Sequence, residues 1–465
     1  MASRGPSPFP SGGLKAVLVG GNTVGAAVRE REPRADDYRH VDTPGLIRKL
    51  RDLSVNTYLY GIWDSPTDFD DLRREFLPAA EAAGISVIPY LVPPSETSEN
   101  GRASRPFLLD FVTWATEIAE LSTRHKNLVA WAIDDFEFEL NAKLFTPEYM
   151  QNIVDAAAAV NPELRFYTCA YYGAATSDGF LDKYGPYVDG IIYPFLDGHH
   201  ENTTVAGSLA ECLDAVLEFT RPRELELIPL IYAGRFLDAP LAPTEDYVAA
   251  TLEVAAQYAA DGRTGGTIAY GTQLDDAPTP ASDNKAMYGT GRLALIAPRV
   301  PVPAGATAAA SQVVDVDPSV GRQEISFWYH RWFHSRGVQP GTYMLELLID
   351  DVVAWGIDIA EQPWAVWTQG DGMMGPVDVT AHTRGRDRVR VSFRLRALRD
   401  VSLSYVDVGV DNVETIGLSL RNGGFDEQQD WDLTMQGPLL AVTDLFVPDR
   451  PARIRRAVTR SFAAN

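Results

Sequence analysis

The segment Asn127-Leu-Val-Ala-Trp-Ala-Ile-Asp-Asp-Phe-Glu-Phe-Glu139 drives an apolar run straight into four carboxylates: Asp134, Asp135, Glu137 and Glu139. Side chains of an extended chain alternate faces, so Asp135, Glu137 and Glu139 share one side for as long as the strand continues. Crowded carboxylates repel one another and raise each other's pKa, which keeps one protonated as a general acid beside an ionised partner. Glycosidic bond hydrolysis needs such a pair. Asp134, Asp135 and Glu137 are therefore the catalytic candidates. The plain alternative is a solvated acidic loop after a strand, or acids paired to arginine.

Other apolar runs end in aromatic and polar residues. Tyr58-Leu-Tyr-Gly-Ile-Trp-Asp64, Pro89-Tyr-Leu-Val-Pro-Pro94, Tyr193-Pro-Phe-Leu-Asp-Gly-His-His200 and Tyr270-Gly-Thr-Gln-Leu-Asp-Asp276 are examples. Tyrosine and tryptophan offer a flat apolar face with a polar edge, suited to the C–H face and hydroxyl rim of a sugar. The binding candidates are Trp63, Asp64, Tyr90, Tyr172, Tyr193, Asp197, Tyr232 and Gln273. Asp64, Asp197 and Asp275 are candidates for a partner carboxylate from another strand. For each tyrosine alone, core packing is the competing explanation.

These residues need a scaffold that gathers strand ends. Eight runs rich in Val, Ile, Leu and Tyr read as strands buried on both faces: Ala16–Gly20, Asn56–Trp63, Ser86–Val92, Leu128–Asp134, Arg165–Tyr172, Gly190–Phe195, Glu226–Tyr232 and Gly266–Tyr270. Amphipathic stretches fit between them at 43–53, 68–83, 106–121, 146–160, 208–220 and 244–260, with Thr-Pro and Thr-Glu starts and Gly84 as a C-cap. Eight βα units predict a (β/α)₈ TIM barrel, with its active residues at the C-terminal ends of the strands. An open doubly wound sheet is the alternative. Gly20-Gly21-Asn22-Thr23-Val24-Gly25 does not match the glycine pattern of its nucleotide-binding version.

Near residue 298 the pattern changes. Pro298, Pro301, Pro303 and the small-residue run Ala304–Ala310 read as a linker. Short alternating segments follow at 324–330, 342–349, 388–395, 401–408, 415–420 and 439–446, with little helical periodicity. They predict an antiparallel, jelly-roll-like β-sandwich. The expected organisation is a tail at 1–13, a barrel at 14–297, a linker at 298–311 and a sandwich at 312–465.

The 465 residues are 45% hydrophobic and 22% charged, a globular composition without a membrane-spanning run. The net charge of −22 disfavours nucleic acid and anionic membranes, whereas a neutral carbohydrate is not repelled. Residues 1–297 hold 24 bases against 42 acids, so most of the excess lies there. Two cysteines, Cys169 and Cys212, make neither a disulfide framework nor a zinc site. Cys169, inside the fifth strand, reads as core. His199-His200 reads as a polar loop, and no lysine falls convincingly at a strand end for Schiff-base chemistry. No metal or other cofactor is expected. The opening segment lacks a signal-peptide pattern, so the expected location is the cytoplasm, or outside the cell if a leader has been removed.

On these residues, 14–297 resembles the TIM-barrel glycoside hydrolases, several of which carry β-sandwich accessory domains. Asp71-Leu-Arg-Arg-Glu-Phe-Leu-Pro-Ala-Ala-Glu-Ala-Ala-Gly-Ile-Ser-Val-Ile-Pro-Tyr90 looks like a helix–strand unit of such barrels. The fourth-strand ending is similar in position to their acid/base site. It also resembles the Asp-x-x-Asp-x-Asp-x-Glu run of the chitinase-like family, which would make Glu139 the acid. Glu137 stands for an Asp there, and Ala132 for the first Asp. The tail is similar in a general way to carbohydrate-binding modules, with Trp364 and Trp367 as a sugar platform or a covered contact. The resemblance implies a glycosidase acting on an oligosaccharide or glycoside. The alternatives are a non-catalytic carbohydrate-binding protein on a degenerate barrel, and a metal-dependent lyase or phosphodiester hydrolase.

Overall fold

The computed structural model describes residues 14–18, 28–63, 65–97, 102–137, 139–236, 239–274, 280–334, 337–361 and 367–463. Asp64, Asp275 and Trp364 lie outside them, as do the side chains of Glu139 and Trp367. The chain forms two units. The first comprises residues 1–239, 243–276 and 449–465, and the second 240–242 and 277–448. No helix among the described residues is long and apolar enough to cross a membrane.

The first unit is built on a curled, wholly parallel sheet: β1 (Leu14–Leu18), β2 (Thr57–Ile62), β3 (Ser86–Leu91), β4 (Ala130–Ile133), β5 (Arg165–Cys169), β6 (Gly190–Pro194), β7 (Glu226–Tyr232) and β8 (Gly266–Tyr270). Each strand pairs with the next, and β1 pairs with β8 to close the ring. Both faces are covered, which is why these runs lack polar alternation. Leu59, Ile88, Tyr90, Ala130, Ala132, Tyr167, Ile192 and Ile268 fill the lumen. Tyr58, Tyr60, Trp131, Ile133, Phe166, Ile191 and Tyr193 face the helices.

Local signals start the helices. Asp42 accepts from the Gly45 amide at 2.9 Å to cap α1 (Thr43–Asp52), and Pro44 sits in its first turn. Asp110 caps α2 (Phe111–Arg124), so this helix starts later than the apolar pattern implies. Thr146 caps α3 (Pro147–Ala158), α4 is Leu209–Thr220, and Thr244 caps α5 (Glu245–Ala260). The helical stretch 68–82 carries a π turn at Leu72–Phe76. Pro78 lacks the N–H that would bond the Arg74 carbonyl and crowds that carbonyl, which widens the preceding turn.

The organisation departs from expectation at both ends of the sandwich. β9 (Gly291–Ala297), assigned above to the barrel, pairs antiparallel with two strands of the second unit. The expected linker 298–311 runs into a strand, β10 (Thr307–Asp315), because Ala308 and Ala310 fit under larger neighbours in the core. Residues 449–465 are not sandwich. They form α6 (Arg450–Ala463), which buries Ile454, Ala457, Val458 and Phe462 among the barrel helices. Arg460 pairs with Glu245 at the start of α5 at 2.9 Å, and Thr459 reaches the Asp52 carbonyl of α1. The helix flanking β8 thus comes from the far end of the chain. Its apolar stripe was hidden by five arginines.

The second unit has two antiparallel sheets. One has the order β13-β12-β15-β10-β17, the other β14-β11-β16-β9-β18, and they share one core. The remaining strands are β11 (Glu324–His334), β12 (Tyr343–Ile349), β13 (Val352–Asp358), β14 (Trp367–Asp378), β15 (Arg388–Ala397), β16 (Val406–Ile416), β17 (Asp432–Gln436) and β18 (Leu440–Leu445). The separate segments expected at 401–408 and 415–420 give way to one strand, β16.

Candidate active site

Six aromatic side chains line the upper lumen: Trp63, Tyr90 and Tyr232, with the half-buried Tyr171, Phe236 and Tyr270. Trp63 can lie across its own strand only because Gly61 has no side chain; a Cβ there would meet the indole at 2.7 Å. Trp63 packs edge-on to Tyr90 at 5.5 Å, and Tyr232 to Tyr270 at 5.3 Å.

β4 delivers the acids. Asp134 continues the inward parity of Ala130 and Ala132, and its amide still bonds the Leu91 carbonyl of β3 at 2.9 Å. Its Oδ1 accepts from the Tyr90 hydroxyl at 2.5 Å and from the Asp135 amide at 3.0 Å. The chain then turns. Asp135 has φ +37°, a left-handed conformation that a non-glycine residue adopts at a cost. Asn141 holds this turn by donating to the Asp135 carbonyl at 2.7 Å, and Phe136 plugs into the helix layer against Phe145 and Tyr184. The expectation that Asp135, Glu137 and Glu139 line one side of an extended strand is therefore corrected. The strand ends at Ile133, and the turn sets the carboxylates' directions.

Tyr171, one residue beyond the β5 exit, joins two of them. Its hydroxyl donates to Asp135 Oδ1 at 2.9 Å and its amide to Glu137 Oε2 at 2.7 Å. The loop after β3 adds Glu96 and Arg102, which form an ion pair, with the Arg102 guanidinium 4.4 Å from the Trp63 ring centre. The Ser95 amide donates to Asn141 Oδ1 at 2.8 Å and so ties this loop to the β4 turn. Cys169 completes the floor.

Burial dominates the electrostatics. It raises Asp134 to about 6, helped by the Glu96 charge and opposed by Arg102, the Tyr90 hydroxyl and the Asp135 amide. Asp135 is pushed well above the ordinary carboxylate range by burial, by the Asp134 charge and by Glu96. Glu137 rises to about 7 through burial, tempered by the Tyr171 amide. Asp134, Asp135 and Cys169 bring ligand atoms within 4.8 Å of one another, the one such grouping among the described residues. Each carboxylate already accepts a tyrosine hydroxyl, and burial pushes the Cys169 thiol up.

Asp134, Asp135 and Glu137 thus gather with Trp63, Tyr90 and Tyr232. The other described binding candidates have these partners. Tyr193 follows inward-facing Ile192 and so faces the helices. Tyr172 packs edge-on to His199 at 4.9 Å in the same outer layer. Asp197 accepts from the Ser208 hydroxyl at the head of α4, and the Gln273 carbonyl accepts from Arg455 at 2.8 Å. Strand parity separates Tyr193 from the lumen. Glu96, Arg102 and Tyr171 were passed over because two lie in a loop without a motif and the third neighbours the more conspicuous Tyr172.

No family model and no curated protein matches the chain. Among solved structures it is similar to an endoglucanase of Pseudomonas stutzeri (15% identity over 56% of this chain and 87% of that one, TM-score 0.39). It is also similar to a glucosidase of Croceicoccus marinus (11% identity, 84% and 98% covered, TM-score 0.35) and to a β-glucuronidase of Bacteroides uniformis (8% identity, 85% and 65% covered, TM-score 0.41).

Proposed function

We propose that the first unit is a TIM-type (β/α)₈ barrel that hydrolyses the glycosidic bond of a neutral oligosaccharide or glycoside at the C-terminal ends of its strands. The observation that carries this reading is the Asp134–Asp135 pair: two buried carboxyl groups with different donors and different proton affinities, beneath aromatic walls. Asp135, held protonated by burial and by the charge beside it, donates its proton to the leaving oxygen. Asp134, with two hydrogen-bond donors and the nearby Arg102 charge, is ionised above about pH 6 and attacks the anomeric carbon. Their nearest carboxylate oxygens lie within 4.8 Å of one another, short of the roughly 6.5–9.5 Å of inverting pairs. Water then releases the sugar, and Asp135 takes the proton back. Trp63, Tyr90 and Tyr232 form the ring-stacking walls.

A panel of aryl glycosides and oligosaccharides tests this. Turnover that falls about 10²–10⁴-fold in Asp135→Asn supports the assignment. Full activity in both Asp135→Asn and Glu137→Gln removes the β4 cluster from the chemistry. Sugar binding without turnover leaves a binding protein, and loss of activity on chelation replaces the carboxylate pair with a metal.

A further inference from the structure

The Asp135–Phe136 peptide is the pivot of the acid cluster. β4 ends at Ile133, so the strand ladder no longer serves this peptide, and a buried backbone group left bare is costly. Both of its polar groups are gripped from outside the strand. The Phe136 amide donates to the Cys169 carbonyl of β5 at 3.1 Å, and the Asp135 carbonyl accepts from Asn141 Nδ2 at 2.7 Å. The first grip is main chain to main chain. The second hangs on one side chain, at a residue whose φ of +37° must be held in place.

Asn141 is fully buried and uses its whole amide. Oδ1 accepts from the Ser95 amide at 2.8 Å, and Nδ2 donates to Ser95 Oγ at 3.0 Å as well as to Asp135. A backbone N–H only donates and a carbonyl only accepts, so the side-chain amide has a single orientation. Its support is rigid. It rides on the short helix Glu139–Leu144, the Phe145 amide bonds its carbonyl at 2.9 Å, and Phe145 stacks on Phe136 at 4.4 Å. Ser95 in turn precedes Glu96, which hydrogen-bonds Asp135 and pairs with Arg102. One buried amide thus joins the turn that carries Asp135 to the loop that carries its carboxylate neighbour.

We propose that Asn141 is a positioning residue for the acid: it aims the Asp135 carboxyl at the leaving oxygen and holds the Ser95–Glu96 segment against it. The inference rests on the glycosidase reading and deepens it. Asn141 touches no reacting atom and acts through Asp135.

Steady-state kinetics of the full chain on the aryl glycoside it turns over fastest tests this, with the parent, Asp135→Asn, Asn141→Ala, Asn141→Asp and Ser95→Ala side by side. Asn141→Ala should lower kcat about 10–100-fold and leave KM within about threefold, because a carboxyl out of line by about 1 Å loses transition-state stabilisation while substrate still binds. Ser95→Ala removes one of the three contacts of the amide and should lower kcat by less than about threefold. Asn141→Asp keeps the shape. When protonated, the introduced carboxyl still accepts from the Ser95 amide and donates one hydrogen bond; when ionised, it donates none. Burial keeps it protonated at low pH, so the kcat of this variant relative to the parent should fall at least about fivefold between about pH 5 and pH 8. A residue needed only for folding gives a ratio that does not change with pH. If Asn141→Ala fails to fold, the Asn141→Asp ratio decides alone. Turnover that Asp135→Asn abolishes, but that folded Asn141→Ala and Asn141→Asp keep at every pH, overturns the inference and leaves the reading standing. Turnover that survives Asp135→Asn, or a parent without turnover, overturns the reading and the inference with it.

Discussion

The β4 acids of the first unit are held differently from most buried acids of the second. In the second, Asp407 is fully buried on β16 and meets two cations, Arg292 Nη1 at 3.0 Å and Lys285 Nζ at 2.7 Å. Arg292 in turn pairs with Asp444 at 3.4 Å. Glu346 on β12 is 2% exposed and lies between Arg394 and Arg396. Burial pushes Glu346 up, but hydrogen bonds and charge from Arg396 and Arg394 win and hold it below the ordinary range. In the first unit, Asp134, Asp135 and Glu137 receive hydroxyl and amide donors instead, and Arg102, the cation that acts on Asp134, is already paired to Glu96. All three rise. A buried acid met by cations is stabilised in its charged form, whereas one kept short of them holds its proton to higher pH. Asp411 marks the boundary. It receives the amides of Met287, Tyr288 and Asn412 without a cation, and burial raises it to about 6.

The largest expected effect breaks the cation-paired side. Asp407→Asn leaves Arg292 and Lys285 buried with too little counter-charge, at a cost of about 3–5 kcal/mol in urea unfolding. Asp135→Asn, by contrast, should unfold no more easily than the parent while losing its turnover. If both variants lose stability equally, the distinction between cation-paired and proton-holding acids fails.

Next in size is Glu137. Its folded pKa of about 7 lies above the ordinary 4.5, so the folded chain binds this proton more tightly than the unfolded chain between those values. The contribution is fully present below about pH 4.5 and is lost as pH rises through 7. Glu137→Gln removes the buried charge and keeps an acceptor for the Tyr171 amide. It should stabilise the protein by about 1–3 kcal/mol at pH 8, allowing for partial exposure, and change little at pH 4. Equal unfolding midpoints for parent and variant at pH 8 would show that Glu137 ionises without penalty.

How much of this was legible from the residues varies along the chain. β7 and β8 coincide with their sequence patterns and β2 to β6 nearly do, because strands covered on both faces write continuous apolar runs. β4 also announced its acids. The turn at Asp135 was not legible, since its left-handed φ depends on Asn141 and Tyr171 reaching in from elsewhere. Tyr193 ends a strand as the lumen aromatics do, but Ile192 takes the inward face and leaves Tyr193 to the helices. Among the sandwich strands, β14 hides behind Gly370, Gly372, Gly375 and Pro376, which read as turns, and β13 behind its exposed position at a sheet edge. The helix 450–463 is hidden because arginines occupy five of the nine positions its buried stripe leaves open. Local chemistry shows in a sequence. A residue whose conformation or role is set by a distant partner does not.

The smallest expected effect sharpens the comparison at a single atom. The Tyr90 hydroxyl donates to Asp134 at 2.5 Å and favours its ionised form, a neutral donor where Asp407 meets two cations. Tyr90→Phe keeps the ring against Trp63 and removes only that donor. Loss of one typical hydrogen bond costs about 1 kcal/mol net, a little under one pH unit. Asp134 should then titrate above about 6. The acid limb of kcat/KM, which rises as Asp134 loses its proton, should shift to higher pH by about 0.5–1 unit, with the plateau little changed. A shift to lower pH, or none with the plateau intact, would mean that Asp134 is not the group whose ionisation starts the reaction.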